Sequence, residues 1–363
     1  MNRQRIAIMS LFLCVSVYGL GATESDSTDD PRLQKMLQRY PEADANGDGL
    51  LTPAEAKAFK ANQRQVSQKA QDKSSPATKR PKPTFADVTY GPHERNVLDL
   101  YQAKSGRPTP VVVYIHGGGF KGGDKKSVDP AVIAKCLTAG VSVAAINYRF
   151  RQQAPIQDIL RDAARAIQFL RHKSGEFNLD KTRIVAFGGS AGAGTSLWLA
   201  FHDDLADPNS KDPVLRESSR LAAAGSINGQ FSYDFEQWPT VIGKYPGNQP
   251  APVGELHTFY GLKDADDIHS SKGKQIRADV DMLALLTKDD PPVFLYSAGQ
   301  NVEPTDHGHY VHHPRHSIAV KHKCDQVGVE CKMLLRADDP SISRDVAIGR
   351  MLEFFFKHVS VLP

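Results

Sequence analysis

The chain has 363 residues, 40% of them apolar and 24% charged, and its 45 Lys and Arg against 41 Asp and Glu leave a net charge of +4. This composition suits one large soluble domain with appendages and excludes a chain of many membrane spans. So small a charge excess gives no basis for a nucleic-acid partner. At the N-terminus, Met1-Asn2-Arg3-Gln4-Arg5 is followed by a nearly unbroken apolar run from Ile6 to Leu20 and then by Gly21 and Ala22. These are the basic, apolar and small-residue parts of a secretory signal, read here as residues 1–22. They predict bacterial export to a secreted or periplasmic location, with no stable membrane insertion after processing.

The next feature, within residues 30–65, is Asp44-Ala45-Asn46-Gly47-Asp48-Gly49-Leu50-Leu51-Thr52-Pro53-Ala54-Glu55. Side-chain oxygens fall at positions one, three, five and nine through Asp44, Asn46, Asp48 and Thr52. Glycine sits at the bend, the carbonyl of Leu50 is at position seven, and Glu55 closes at twelve. This is the spacing of an EF-hand loop, so Ca2+ is the expected cofactor. Leu33, Met36, Leu37 and Tyr40 share one helical face before the loop, and Pro53 opens a helix after it. EF-hands usually pair and only one is present, so its partner is a second chain, the rest of this protein, or none. Residues 66–84, rich in Ser, Gln, Lys, Arg and Pro, read as a flexible linker.

From residue 85 to 363, strand-like and helix-like segments alternate, the pattern of an α/β fold with a mostly parallel sheet covered on both faces. An opening hairpin (Thr89-Tyr90 and Asn96 to Tyr101) precedes buried strands at Val111 to Ile115, Val141 to Ile146 and Ile184 to Phe187. Asp158 to Leu170 is a periodic helix, and later strands begin near Leu221, Pro292 and Lys332. The strand at Val111 runs into His116-Gly117-Gly118-Gly119-Phe120. That at Ile184 runs through Gly188-Gly189-Ser190-Ala191-Gly192 into a helix. The second motif puts a serine on a sharp strand-to-helix bend; the first supplies backbone N–H groups of Gly118 and Gly119 to join that of Ala191 around an oxyanion.

On these two motifs the region from about 85 to 358 resembles the α/β-hydrolase superfamily, in its carboxylesterase branch of hormone-sensitive-lipase-like and feruloyl-esterase-like enzymes. The resemblance implies a serine ester hydrolase acting through an acyl-Ser190 intermediate on a small or glycan-linked acyl ester. It also places a lid in the insert at about 228–290, where Phe231, Tyr233, Phe235, Trp238 and Tyr260 either line a cleft or pack the insert onto the sheet. In such enzymes the acid and the histidine follow the last two main strands. Here Asn301 stands in the acid's place, and Arg336 to Ser343 contains no histidine.

A substitute lies in the cluster Asp306-His307-Gly308-His309-Tyr310-Val311-His312-His313-Pro314-Arg315-His316. Its loop ends on the same sheet edge as Ser190. The expectation is therefore that His312 or His313 is the general base, oriented by Asp306 or Glu303. The histidine spacing also admits a metal site, and the missing strand-end histidine admits a catalytically degenerate hydrolase that serves as a calcium-dependent binding module. Cys324 and Cys331 bracket a short connection compatible with a local disulfide, and Cys136 reads as a buried helix residue.

Overall fold

The computed structural model describes residues 26–62, 80–246 and 255–360. The signal read at 1–22 and most of the linker lie outside these residues. Two compact units divide the chain between residues 78 and 79.

In the first unit, α1 (Pro31–Arg39) is capped by the Asp30 carboxylate, which accepts from the Arg32 amide at 2.8 Å. A second helix, α2, occupies 53–62. Leu33, Ala43, Leu51 and Ala56 form its small core, with Met36, Leu37, Tyr40 and Phe59 packed around them. The apolar face expected on α1 is thus the face that meets α2.

The second unit is built on one eight-stranded sheet: β1 (Phe85–Thr89), β2 (Val97–Tyr101), β3 (Thr109–Ile115), β4 (Ser142–Ile146), β5 (Leu179–Gly189), β6 (Ala223–Ile227), β7 (Val293–Ser297) and β8 (Cys331–Leu335). The spatial order is β1-β2-β4-β3-β5-β6-β7-β8. β2 runs antiparallel to both neighbours, and the pairs from β4 through β8 are parallel. Alternation along β3 shows why both faces must be covered. Val111, Val113 and Ile115 enter one core, Val112 and Tyr114 the other.

On the first face lie α4 (Ile156–His172) and α5 (Ala191–Phe201); on the second lie α3 (Pro130–Thr138) and α12 (Arg344–His358). Every residue of α5 is buried, which explains a sequence apolar all round rather than on one stripe. Between β6 and β7 the insert forms α6 (Trp238–Ile242), α7 (Leu256–Tyr260), α8 (Ser271–Asp279) and α9 (Met282–Leu285). Between β7 and β8 come α10 (His307–Val311) and α11 (Pro314–Val327). Cys136 is buried in α3, and Cys324 and Cys331 are unbridged thiols. Because the strands from β4 to β8 run parallel, the exits of β3, β5, β6 and β7 share one edge of the sheet.

Candidate active site

The bend at the end of β5 is forced by close packing. A Cβ on Gly192 would run into the carbonyls of Ile115 and His116, so only glycine lets α5 start directly against the exit of β3. Ser190 takes the strained conformation φ 53°, ψ −120°, and its amide donates to the Ile227 carbonyl at 3.0 Å. The hydroxyl is thereby held at the N-terminus of an 11-residue helix, where N–H groups lack intrahelical partners.

The glycine loop lies against this bend: a Cβ on Gly117 would sit 3.5 Å from that of Ser190. Gly118 and Gly119 have φ of 115° and 60°, and among the described residues their N–H groups have no acceptor. Both residues are exposed. His116 anchors the loop from beneath. Its ring stacks on Tyr148 with centroids 4.2 Å apart, its Nδ1 bonds the Gly117 carbonyl at 2.7 Å, and the Tyr148 hydroxyl donates to the His116 carbonyl at 2.6 Å. Burial pushes the His116 pKa down to about 4, so this ring is neutral and structural.

Of the two histidines expected as base, His312 meets the serine: Ser190 Oγ and His312 Nε2 are 2.8 Å apart. Its Nδ1 lies 3.0 Å from the Gly308 carbonyl. A carbonyl only accepts, so Nδ1 carries the proton and Nε2 is left to accept from the serine hydroxyl. Burial, reinforced by the nearby His307, holds the His312 pKa below the ordinary imidazole value against the opposing Gly308 carbonyl.

His313 turns elsewhere. It is 1% exposed, its Nδ1 accepts the Arg315 amide at 3.1 Å as the cap of α11, and its Nε2 donates to the Val302 carbonyl at 2.6 Å. The expected orienting carboxylates are also placed differently. Asp306 caps α10 by accepting the His309 amide at 3.0 Å, and Glu303 pairs with Arg315 at 2.7 Å. Among the described residues no carboxylate hydrogen-bonds the His312 ring. The reason is geometric: one short helical turn folds the ring back onto a carbonyl four residues earlier, which occupies the nitrogen an acid would take.

The aromatic residues of the insert pack rather than line a cleft. Phe231, Tyr233, Phe235, Trp238 and Tyr260 are all buried, and the Tyr233 hydroxyl donates to the Ala191 carbonyl at 2.8 Å. Sequence reasoning missed Gln230, buried at the insert's first turn, whose Nε2 donates to the Val311 carbonyl at 2.8 Å. It missed Gly308 too. In each contact the acceptor is a main-chain carbonyl, which leaves no trace in residue type.

In the N-terminal unit the Asp44 carboxylate accepts from the Gly47 and Gly49 amides, each at 2.8 Å, so the loop wraps its first acid. Glu55 accepts from the Thr52 amide and hydroxyl at 3.0 and 2.8 Å. Among the described residues no three His, Cys, Asp or Glu side chains gather as a preformed metal site. The loop's remaining donors are oxygens of Asn46, Asp48, Leu50 and Thr52, a set suited to a hard cation.

Comparison with known proteins places these observations. The BD-FAE family model matches residues 98–226, which hold both the glycine loop and Ser190. A probable isoprenylcysteine alpha-carbonyl methylesterase of Arabidopsis thaliana is 30% identical over 146 residues, 40% of this chain and 30% of that protein. The carboxylesterase NlhH of Mycobacterium tuberculosis is 33% identical over 91 residues, 25% of this chain and 28% of that protein. The aligned part thus spans about a third of the length of these relatives. A truncated carbohydrate esterase from gut microbiota superposes with a TM-score of 0.59 at 19% identity, covering 76% of this chain and 96% of that one. An acetyl ester-xyloside bifunctional hydrolase from Caldicellulosiruptor lactoaceticus gives 0.57 at 18%, covering 78% and 99%. The second unit has the α/β-hydrolase fold.

Proposed function

We propose that this protein is a serine carboxylic-ester hydrolase that works through an acyl-Ser190 intermediate, with His312 as general base. The 2.8 Å approach of Ser190 Oγ to the unprotonated nitrogen of His312 carries the reading. Ser190 attacks the ester carbonyl as its proton passes to His312 Nε2, and the N–H groups of Gly118, Gly119 and Ala191 receive the oxyanion. The imidazolium then returns the proton to the departing alcohol. Water, deprotonated by the same ring, releases the acid. An acyl group on a polysaccharide is the substrate class we favour. The exposed glycine loop leaves room for a bulky alcohol, and two fold neighbours bear carbohydrate-ester names. The N-terminal pattern of residues 1–22 makes this an exported enzyme, and among the described residues no helix is long and apolar enough to cross a membrane. The EF-hand loop would hold Ca2+ through Asp44, Asn46, Asp48, Leu50, Thr52 and Glu55, with a stabilising or docking role.

Reaction with a fluorescent fluorophosphonate, with p-nitrophenyl acetate turnover alongside, tests the reading. Ser190→Ala and His312→Ala should each abolish labelling and lower turnover by about 1,000-fold or more. Folded wild type that neither labels nor turns over would favour a second reading, a degenerate hydrolase that binds an ester. That no carboxylate among the described residues hydrogen-bonds the His312 ring is the observation behind that alternative.

A further inference from the structure

Nucleophile and base come from distant parts of the chain, and something must fix the gap between them. Four consecutive residues at the exit of β6 touch both sides. The Ile227 carbonyl accepts the Ser190 amide at 3.0 Å. Asn228, at φ 51°, donates its amide to the Tyr296 carbonyl at 2.7 Å and accepts the Ala298 amide on its Oδ1 at 2.7 Å, tying β6 to the start of the base's own loop. Gly229 packs against Ala193 of α5; a Cβ there would lie 2.7 Å from that alanine's. Gln230, 5% exposed, donates to the carbonyl of Val311, the peptide that delivers His312. A buried side-chain amide with a short donor bond to a main-chain carbonyl is a stiff strut, because breaking it leaves two unsatisfied polar groups.

We infer that Gln230 is a positioning residue for catalysis: through the Val311 carbonyl it holds His312 at hydrogen-bond distance from Ser190, replacing in part the orienting carboxylate that no described residue supplies to the ring. The inference rests on the esterase reading above. In an acid-backed triad the carboxylate both selects the tautomer and limits the swing of the ring. Here the Gly308 carbonyl selects the tautomer, but it lies in the same short turn as the ring and moves with it. The restraint on that turn must come from outside, and Gln230 supplies it from the element that also holds the nucleophile. Asp306 acts in the same sense from the other end by capping α10.

The test uses the full chain with Gln230→Met, which keeps length and burial but loses the N–H donor. We expect kcat for p-nitrophenyl acetate to fall about tenfold with KM within twofold, and the acid limb of the kcat profile to move up as the loosened ring becomes more solvated. A Met variant with wild-type kcat and an unmoved acid limb overturns the inference. If that variant does not fold, Gln230→Glu replaces it. Its carboxylate cannot donate at neutral pH but regains a donor on protonation, so its activity relative to wild type should recover as pH falls, and a constant ratio would overturn the idea. Failure of the esterase reading looks different, because wild type itself would then not label. In that case the His312 pKa, read by NMR in wild type and Gln230→Met, still decides: a rise toward the ordinary imidazole value supports the strut, and an unchanged value removes it.

Discussion

His312 and His313 are neighbours in sequence, yet their side chains face opposite duties, and the difference can be measured. In the proposed reaction only the neutral ring of His312 can take the serine proton. Its pKa is held down by burial and by His307, so the neutral form persists to lower pH than for an ordinary imidazole. The acid limb of kcat/KM should therefore lie below the ordinary value near 6.5, with activity falling as pH drops through the limb and flat above it. A limb above 6.5 would mean that the buried environment of the ring is wrong. His313 instead caps α11 and fills a buried space. His313→Ala should cost about 2 to 4 kcal/mol of stability in urea melts, from the lost helix cap, the cavity left and the lost bond to Val302, while fluorophosphonate labelling persists. Labelling lost in His313→Ala but kept in His312→Ala would reverse the assignment.

At the scale of elements, the fit of α5 between β3 and the insert carries two further expectations. Gly192→Ala drives a methyl group into the carbonyls of Ile115 and His116, atoms that belong to the central strand and its exit and cannot step aside. Chemical denaturation should show a loss of about 3 kcal/mol, at the upper end of overpacking effects; a loss under 0.5 kcal/mol would mean that the bend is looser than described. At the far end of α5, His202 joins the insert. Its Nε2 meets Asp279 of α8 at 2.9 Å, and Arg161 of α4 approaches the same carboxylate at 3.5 Å. Burial pulls the His202 pKa down, but Asp279 and the Asp203 carbonyl together outweigh it, so the ring titrates above its ordinary value. The charged pair thus contributes fully below the unfolded histidine's pKa and is lost as pH rises through the higher folded value. Hydrogen exchange in α8 and α9, corrected for its intrinsic pH dependence, should speed up from pH 6 to pH 8, and His202→Gln should abolish that change.

These elements were legible in sequence to different degrees. β3, β5 and α5 could be read because two-sided burial leaves runs of Val, Ile and Ala, and because close backbone approach admits only glycine at positions such as 192. The Ser190 bend and the glycine loop beside it followed from the same constraint. The orientation of the base did not, because it depends on the Gly308 and Val311 carbonyls, and every residue has a carbonyl. Asp306 was expected at the ring because carboxylates orient histidines in this fold, whereas here it caps α10. The insert's aromatics were ambiguous for a related reason: a ring that lines a cleft and a ring that seals a helix against a sheet have the same composition.

The whole chain consists of two units with separate cores, and that separation makes calcium testable apart from the ester chemistry. Among the described residues the N-terminal unit has a core of four buried apolar side chains, too few to be robust without help from a bound ion or a partner. Its loop holds Asp44 and Glu55 by hydrogen bonds to its own amides and hydroxyl, an arrangement that leaves further carboxylate oxygen lone pairs for a cation. A single extracellular-type site with a Kd of roughly 0.1 to 1 mM would, in 10 mM Ca2+, stabilise that unit by about 1.4 to 2.7 kcal/mol. Calorimetry of the full chain should then show one transition moved up by Ca2+ relative to chelator and a second left in place, with Glu55→Gln cancelling the movement. The stationary transition belongs to the unit that carries Ser190, so p-nitrophenyl acetate turnover should be the same in both solutions. If Ca2+ moved neither transition, the loop would be a self-bonded turn without a cation; if it moved both and raised turnover, calcium would act on the catalytic unit itself, and separate cores would be the wrong description of how the chain responds to it.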